Sequence, residues 1–229
     1  MSSFVFPPQQ ASVAIRGSQQ RFPVHRIYCV GRNYAEHVRE MGANPERDAP
    51  FFFCKPADAV VSNHSSIPFP SSTQDLHHEV ELVVAIGEAA EKLSIDRAEA
   101  CIFGYSVGID LTRRDLQAQA KQHGRPWDTA KGFDHSAPIA DIVAVADCGL
   151  ITDASISLSV NGEVRQRGKI ADLIWSIPEI LVELSHLFSL QPGDLIFTGT
   201  PAGVGRLVPG DELCGEVTGL DELQILIGN

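Results

Sequence analysis

The sequence predicts a mixed α/β fold dominated by strands, a sheet-roll with few helices. Three observations predict it. Asn161-Gly162, between two strand-like runs, is a strong hairpin signal. Strand-like segments separated by Gly/Pro turns fill the second half, and only one helix is clearly amphipathic. Strands and helices therefore do not alternate as a doubly wound or (β/α)8 chain requires. With 229 residues, 44% of them hydrophobic, the chain can bury one substantial core.

Residues 1–23, rich in Pro, Gln and Ser, read as an N-terminal extension with irregular or edge structure, and the main domain is expected over 24–229. The first core strand is expected over 26–30. Asn33 can cap a short helix over 34–41 that Gly42 stops, and brief strands over 51–53 and 59–61 flank Lys55-Pro56. Residues 77–87 read as a buried strand. A helix over 94–103 ends at Gly104, and an apolar strand over 105–109 ends in Asp110. The next helix starts at Thr112, with Asp115 as capping-box partner and Gly124 as its stop. Strands over 155–160 and 163–166 flank the Asn161-Gly162 turn, read as type I′. Ser176 and Glu179 form a capping box for a helix whose stripe of Ile177, Ile180, Leu181, Leu184, Leu187 and Phe188 should pack across a sheet. Strands over 194–198, 212–218 and 222–227 complete the chain.

A net charge of −11 disfavours nonspecific binding to nucleic acid or to an anionic membrane. The five cysteines, Cys29, Cys54, Cys101, Cys148 and Cys214, are widely spaced without C-x-x-C and read as reduced core thiols of a cytoplasmic protein. The start lacks a basic region and a long apolar run, and no later segment approaches about 18 apolar residues, so neither a signal peptide nor a membrane span is expected.

Chemistry concentrates in a few segments. Glu79 and Glu81 share one face of the 77–87 strand with Val83 and Ala85, while Val80, Leu82, Val84 and Ile86 share the other. Two carboxylates on an apolar face call for a shared cation or a shared proton, unless the strand end frays into solvent. Asp110 supplies a third acid, and three carboxylates favour Mg2+ or Mn2+ with open positions for a chelating substrate. His77 and His78 point to opposite faces, so at most one can join the acids in a zinc or iron site. His37 and Glu40, three apart on a helix, are either an acid/base dyad or a solvated pair. Lys131, among aromatic and small residues, can contact an oxyanion or a substrate carboxylate. Arg113, Arg114 and Gln117 begin the helix after Asp110, where they can bind an anion or simply face water. The run 199–205 follows a strand but lacks the Gly-Lys-Ser/Thr ending of a Walker loop. It reads as a tight turn that presents N–H groups and the Thr200 hydroxyl to a ligand, or one that only reverses the chain.

Taken together, Tyr28-Cys29-Val30-Gly31-Arg32-Asn33-Tyr34, the Glu79/Glu81 pair, Gly108-Ile109-Asp110 with Arg113-Arg114-Asp115, Ala130-Lys131-Gly132-Phe133-Asp134 and Phe197-Thr198-Gly199-Thr200-Pro201-Ala202-Gly203-Val204-Gly205 resemble the fumarylacetoacetate hydrolase family. The resemblance implies that family's β-roll, a homodimer, and Mg2+ or Mn2+ held by Glu79, Glu81 and Asp110. His37 and Glu40 match the helix that orders as a lid in the acylpyruvase branch, and Lys131 matches its site lysine. Arg114, Gln117 and Thr200 match its substrate-binding positions. The segments 21–24 and 50–61 are most similar to the bacterial fumarylpyruvate hydrolases of the gentisate pathway. Departures at Ile139-Ala140-Asp141 and Arg206 are expected to alter the pocket rim. The activity implied is hydrolytic C–C cleavage of a small anionic 2,4-dioxo acid, fumarylpyruvate to fumarate and pyruvate. Oxaloacetate decarboxylation, 2-oxo acid keto–enol tautomerisation and noncatalytic binding of an oxo acid remain open.

Overall fold

The computed structural model describes residues 4–40 and 48–229. Strands dominate it. The largest sheet runs, in spatial order, Phe51–Lys55, Ile27–Gly31, Leu195–Phe197, Val80–Ile86, Ile102–Ile109, Ala137–Ile139 and Val60–Ser62, with the two-residue strand Val143–Ala144 also paired to Ile102–Ile109. A second sheet orders Glu163–Lys169, Ser155–Val160, Glu212–Val217, Leu223–Ile227 and Ser65–Ile67. Thr112–Arg113, Leu76–His78 and Gly205–Leu207 make a small third sheet.

The strand Val80–Ile86 is buried throughout and divides two apolar clusters. Val80, Leu82, Val84 and Ile86 enter the larger one with Tyr105, Ile156 and Leu184. Val83 and Ala85 enter a smaller one with Ile27, Cys29, Leu195 and Phe197. This is the two-faced strand that alternation predicts. Each buried Val or Leu contributes about 1.5–3 kcal/mol, so the central strand fixes its register firmly.

Asn161 and Gly162 have φ of 53° and 78°, as a type I′ turn requires, and the hairpin strand extends to Lys169. The helix Ile177–Leu187 begins at the Ser176/Glu179 capping box and buries Ile177, Ile180, Leu181 and Leu184. It packs mainly against the 3-10 helix Ile95–Cys101.

Several expectations are corrected. The helix expected over 94–103 is a 3-10 helix, Ile95–Cys101, and Phe103 and Gly104 belong to the strand Ile102–Ile109. Gly104 is needed for close approach rather than as a helix stop, since a Cβ there would lie 2.3 Å from the Val143 carbonyl oxygen. The helix after Asp110 is Arg114–Gln122, because Thr112 pairs with His77 in the third sheet. The Asp115 carboxylate accepts hydrogen bonds from Thr73 and Gln74 instead of closing a box with Thr112. Asn33 does not cap the helix Ala35–Glu40; its side chain donates to Thr198 and Trp175 carbonyls and accepts from the Trp175 N–H. The expected helix end at Met41 and Gly42 lies outside the described residues. Within the N-terminal 23 residues, Ser12–Ala14 pairs with Arg21–Pro23, and Val13 and Phe22 are buried in the smaller cluster. All five cysteines are free, but only Cys29 and Cys101 are buried, and Cys54 is exposed. No helix among the described residues is long and apolar enough to cross a membrane.

Candidate metal centre and active site

Strand register gathers the acids. Val80 pairs with Ile109 and Glu81 with Gly108, and the Asp110 N–H donates to the Glu79 carbonyl at 2.8 Å. Residues opposite one another on antiparallel strands share a face, as do residues two apart, so Glu79, Glu81 and Asp110 all point one way. Their carboxylates lie within 4.8 Å of one another, and the three residues are 5%, 2% and 0% exposed. The reading of a frayed strand end is thereby excluded.

The surroundings treat the three acids differently. Burial works against the charge on Glu79, but Lys131, Arg114 and His37 outweigh it and hold its pKa well below the usual carboxylate range. Lys131 Nζ lies 2.8 Å from Glu79 and 2.5 Å from Asp110, and 2.7 Å from the Thr112 hydroxyl, so all three of its N–H donors are engaged. Burial opposes this ammonium too, yet Asp110 and Glu79 keep its pKa above the ordinary lysine value. Among the described residues Glu81 accepts only the Gly199 N–H, at 2.7 Å, and burial followed by the charges of Asp110 and Glu79 pushes its pKa well up. Lys55 Nζ sits 2.8 Å from Asp110 Oδ1 but off the line of a hydrogen bond, and that buried oxygen has no hydrogen-bond donor. A crowded set of three buried carboxylates, one without an ion pair among the described residues and one with an oxygen that accepts no hydrogen bond, fits a hard divalent ion, Mg2+ or Mn2+.

The other predicted residues converge on the same place. His37, Glu79, Glu81, Asp110, Arg114, Gln117, Lys131 and Thr200 line one cavity. Arg114 donates to Glu79 and, at 2.7 Å, to the Gln117 side-chain Oε1. His37 is 7% exposed, and its Nδ1 lies 3.2 Å from Glu40. A carboxylate only accepts, so Nδ1 carries the proton and Nε2 is left as a base. Glu40 does not line the cavity; it stands behind His37 and accepts the Gly203 N–H at 3.1 Å.

His77 and His78 stay out of the acid cluster. His77 Nε2 is 3.0 Å from Asp75, and His78 Nδ1 is 2.9 Å from the Gln166 side-chain Oε1. Ile139, Ala140, Asp141 and Arg206, expected at the pocket rim, do not line the cavity.

Two participants escaped the sequence reading. Lys55, 3% exposed, ends an otherwise apolar strand and donates to the backbone oxygens of Leu111 and Lys131. A lysine closing such a strand carried the same signal of buried charge as Glu79. Gln166 is fully buried and organises the turn beside Glu81. Its amide donates to Thr200 Oγ1 and the Pro201 carbonyl, both at 2.8 Å, and its oxygen accepts from the Val80 N–H at 3.1 Å. Nothing in the polar run around Gln166 marks it.

A model of the fumarylacetoacetate (FAA) hydrolase C-terminal domain matches residues 26–227. The chain is 49% identical to fumarylpyruvate hydrolase from Pseudomonas aeruginosa, seen in a crystal structure with Mn2+ and pyruvate, with a TM-score of 0.96 and 99% of each chain covered. It is 41% identical over 178 residues to a fumarylpyruvate hydrolase of a Ralstonia species, covering 78% of this chain and 92% of that one. An oxaloacetate tautomerase of Escherichia coli is 42% identical over 200 residues, 86% of this chain and 90% of that one. With this match along nearly its whole length, and the three acids, the lysine and the arginine gathered in one cavity, the chain belongs to the fumarylacetoacetate hydrolase family.

Proposed function

We propose that this protein is a metal-dependent hydrolase that cleaves the C–C bond of a 2,4-dioxo acid, with fumarylpyruvate as its substrate and fumarate and pyruvate as products. The observation that carries the reading is the buried Glu79/Glu81/Asp110 cluster, in one cavity with His37. Glu79, Glu81 and Asp110 hold the divalent ion, which supplies Lewis-acid stabilisation to the oxygens of a bound 2-oxo acid.

The chain's own groups account for the rest. His37, oriented by Glu40, takes a proton from water through Nε2 as the water adds to C4. The C3–C4 bond then breaks, its electron pair leaves as pyruvate enolate, and a proton returns to C3. Arg114 and Gln117 hold the substrate's carboxylate end, and the Thr200 hydroxyl, fixed by Gln166, donates to an oxygen of the substrate. Lys131 adds positive charge beside the developing enolate while donating hydrogen bonds to Glu79 and Asp110. A homodimer is part of the proposal, and light scattering would give the mass of two chains.

The likeness to an oxaloacetate tautomerase supports a second reading, proton transfer on oxaloacetate without an attacking water. His37→Ala separates them. Hydrolysis predicts a fall of about a hundredfold or more in kcat on fumarylpyruvate, matching loss of a general base. A variant with undiminished activity on oxaloacetate, from a wild type inert toward fumarylpyruvate, favours the second.

A further inference from the structure

Beyond the acids, the cavity is lined by Arg32, Phe51, Phe53, Lys121 and Trp127. Arg32 and Lys121 are exposed where Glu79, Glu81 and Asp110 are buried, so they mark the mouth. Lys121 continues a stripe. Arg114, Gln117 and Lys121 stand at i, i+3 and i+7 on one helix and share a face. Arg114 touches Glu79, and at about 1.5 Å per residue Lys121 lies about 10 Å further along the axis.

Arg32 has a left-handed backbone, φ +58°, which is costly for a residue with a Cβ and is found more often at functional sites. Its guanidinium carbon lies 5.8 Å from the centre of the Phe51 ring, and Lys121 Nζ lies 5.0 Å from that of Trp127. Phe51 and Trp127 meet edge to face at 5.3 Å, so one aromatic wall carries both cations. Among the described residues neither cation has a carboxylate partner. Burial first, and then the charges of Arg114 and Arg32, push the Lys121 pKa down to about 8. Four cations line the cavity against three carboxylates, before any metal ion is counted.

We propose that Arg32 and Lys121 form a second anion subsite, which receives the far carboxylate of a dicarboxylic 2-oxo acid whose carbon chain lies along Phe51, Phe53 and Trp127. The subsite deepens the function proposed above and rests on it for the direction in which the substrate lies. It makes the enzyme selective for acyl groups that end in a carboxylate. An acylpyruvate ending in a methyl group leaves Arg32 and Lys121 unpaired.

The test compares fumarylpyruvate with acetylpyruvate in wild type, Lys121→Met, Lys121→Arg and Arg32→Asn, the last chosen because asparagine tolerates the left-handed backbone. In Lys121→Met and Arg32→Asn the ratio of the two kcat/KM values falls about ten- to a hundredfold, mainly through KM for fumarylpyruvate, and Lys121→Arg restores most of it. An unchanged ratio overturns the subsite. Wild type that cleaves neither compound overturns the hydrolase reading instead, and the subsite is then judged by calorimetry on Mn2+-loaded protein. There, 2-oxoadipate should bind at least about tenfold more tightly than 2-oxohexanoate, a preference lost in Lys121→Met. Equal binding of the two rejects the subsite.

Discussion

Gln166 holds together the turn that seats Thr200 and the strand that carries the acids, and its removal should be costly. Gln166→Met keeps the volume but deletes four hydrogen bonds, to His78 Nδ1, the Val80 N–H, Thr200 Oγ1 and the Pro201 carbonyl. The site is fully buried, so no water replaces the amide. At about 1 kcal/mol net for each bond, with a further penalty of about 1 kcal/mol for the buried Val80 donor, the loss is about 5 kcal/mol. For a chain of this size that lowers Tm by about 10 °C. Urea denaturation of the metal-free protein measures the free energy, and calorimetry the Tm. The double variant with Thr200→Val should be less destabilised than the sum of the singles by about 1 kcal/mol, because the two residues share a bond. A loss below about 1 kcal/mol for Gln166→Met, or strict additivity with Thr200→Val, would refute this account of the turn.

Further outcomes follow from the same geometry. Lys131→Met leaves Glu79 and Asp110 without their shared ammonium and destabilises the metal-free protein by about 3–5 kcal/mol, part of which Mn2+ restores in a thermal melt. Glu81→Gln keeps an acceptor for the Gly199 N–H but removes a buried carboxyl whose ionisation burial, Asp110 and Glu79 all oppose. The metal-free variant should melt a few degrees above wild type, while Mn2+ at a hundred times the wild-type Kd no longer adds about 2.7 kcal/mol. Lys121 is protonated below its pKa of about 8, facing Arg114, Arg32, Lys131, Glu79 and the Trp127 ring. KM for a dicarboxylic substrate should therefore rise as pH passes about 8, an inflection absent from Lys121→Met. Gly104→Ala drives a Cβ into the Val143 carbonyl and should cost about 2 kcal/mol or more in denaturant, with little change in Mn2+ affinity.

Local pattern carried much of this structure. Alternation along 77–87 placed Glu79 and Glu81 on one face, and turn chemistry located the Asn161-Gly162 hairpin. The order of strand-like and helical segments excluded a regular α/β alternation. What escaped was set by long-range pairing. That Asp110 joins Glu79 follows from the antiparallel register of Val80–Ile86 with Ile102–Ile109, which no local signal encodes. Thr112 and Asp115 looked like a capping box, but strand pairing with His77 and the bonds from Thr73 and Gln74 claimed both residues first. Gly104 looked like a helix stop because Gly serves both that role and close backbone approach, and only the Val143 neighbour decides between them. Gln166 sits in a strand whose other residues are mostly exposed, so its burial depends on the 199–205 turn folding over it.

The central claim is metal-dependent C–C hydrolysis, and product analysis tests it most directly. Purified protein is mixed with fumarylpyruvate in the presence of Mg2+ or of a chelator, and loss of the enol absorbance is followed while pyruvate and fumarate are assayed together. The account predicts both products in equal amounts with Mg2+, and neither above background with chelator. Loss of enol absorbance without fumarate, or equal product formation in chelator, would contradict it.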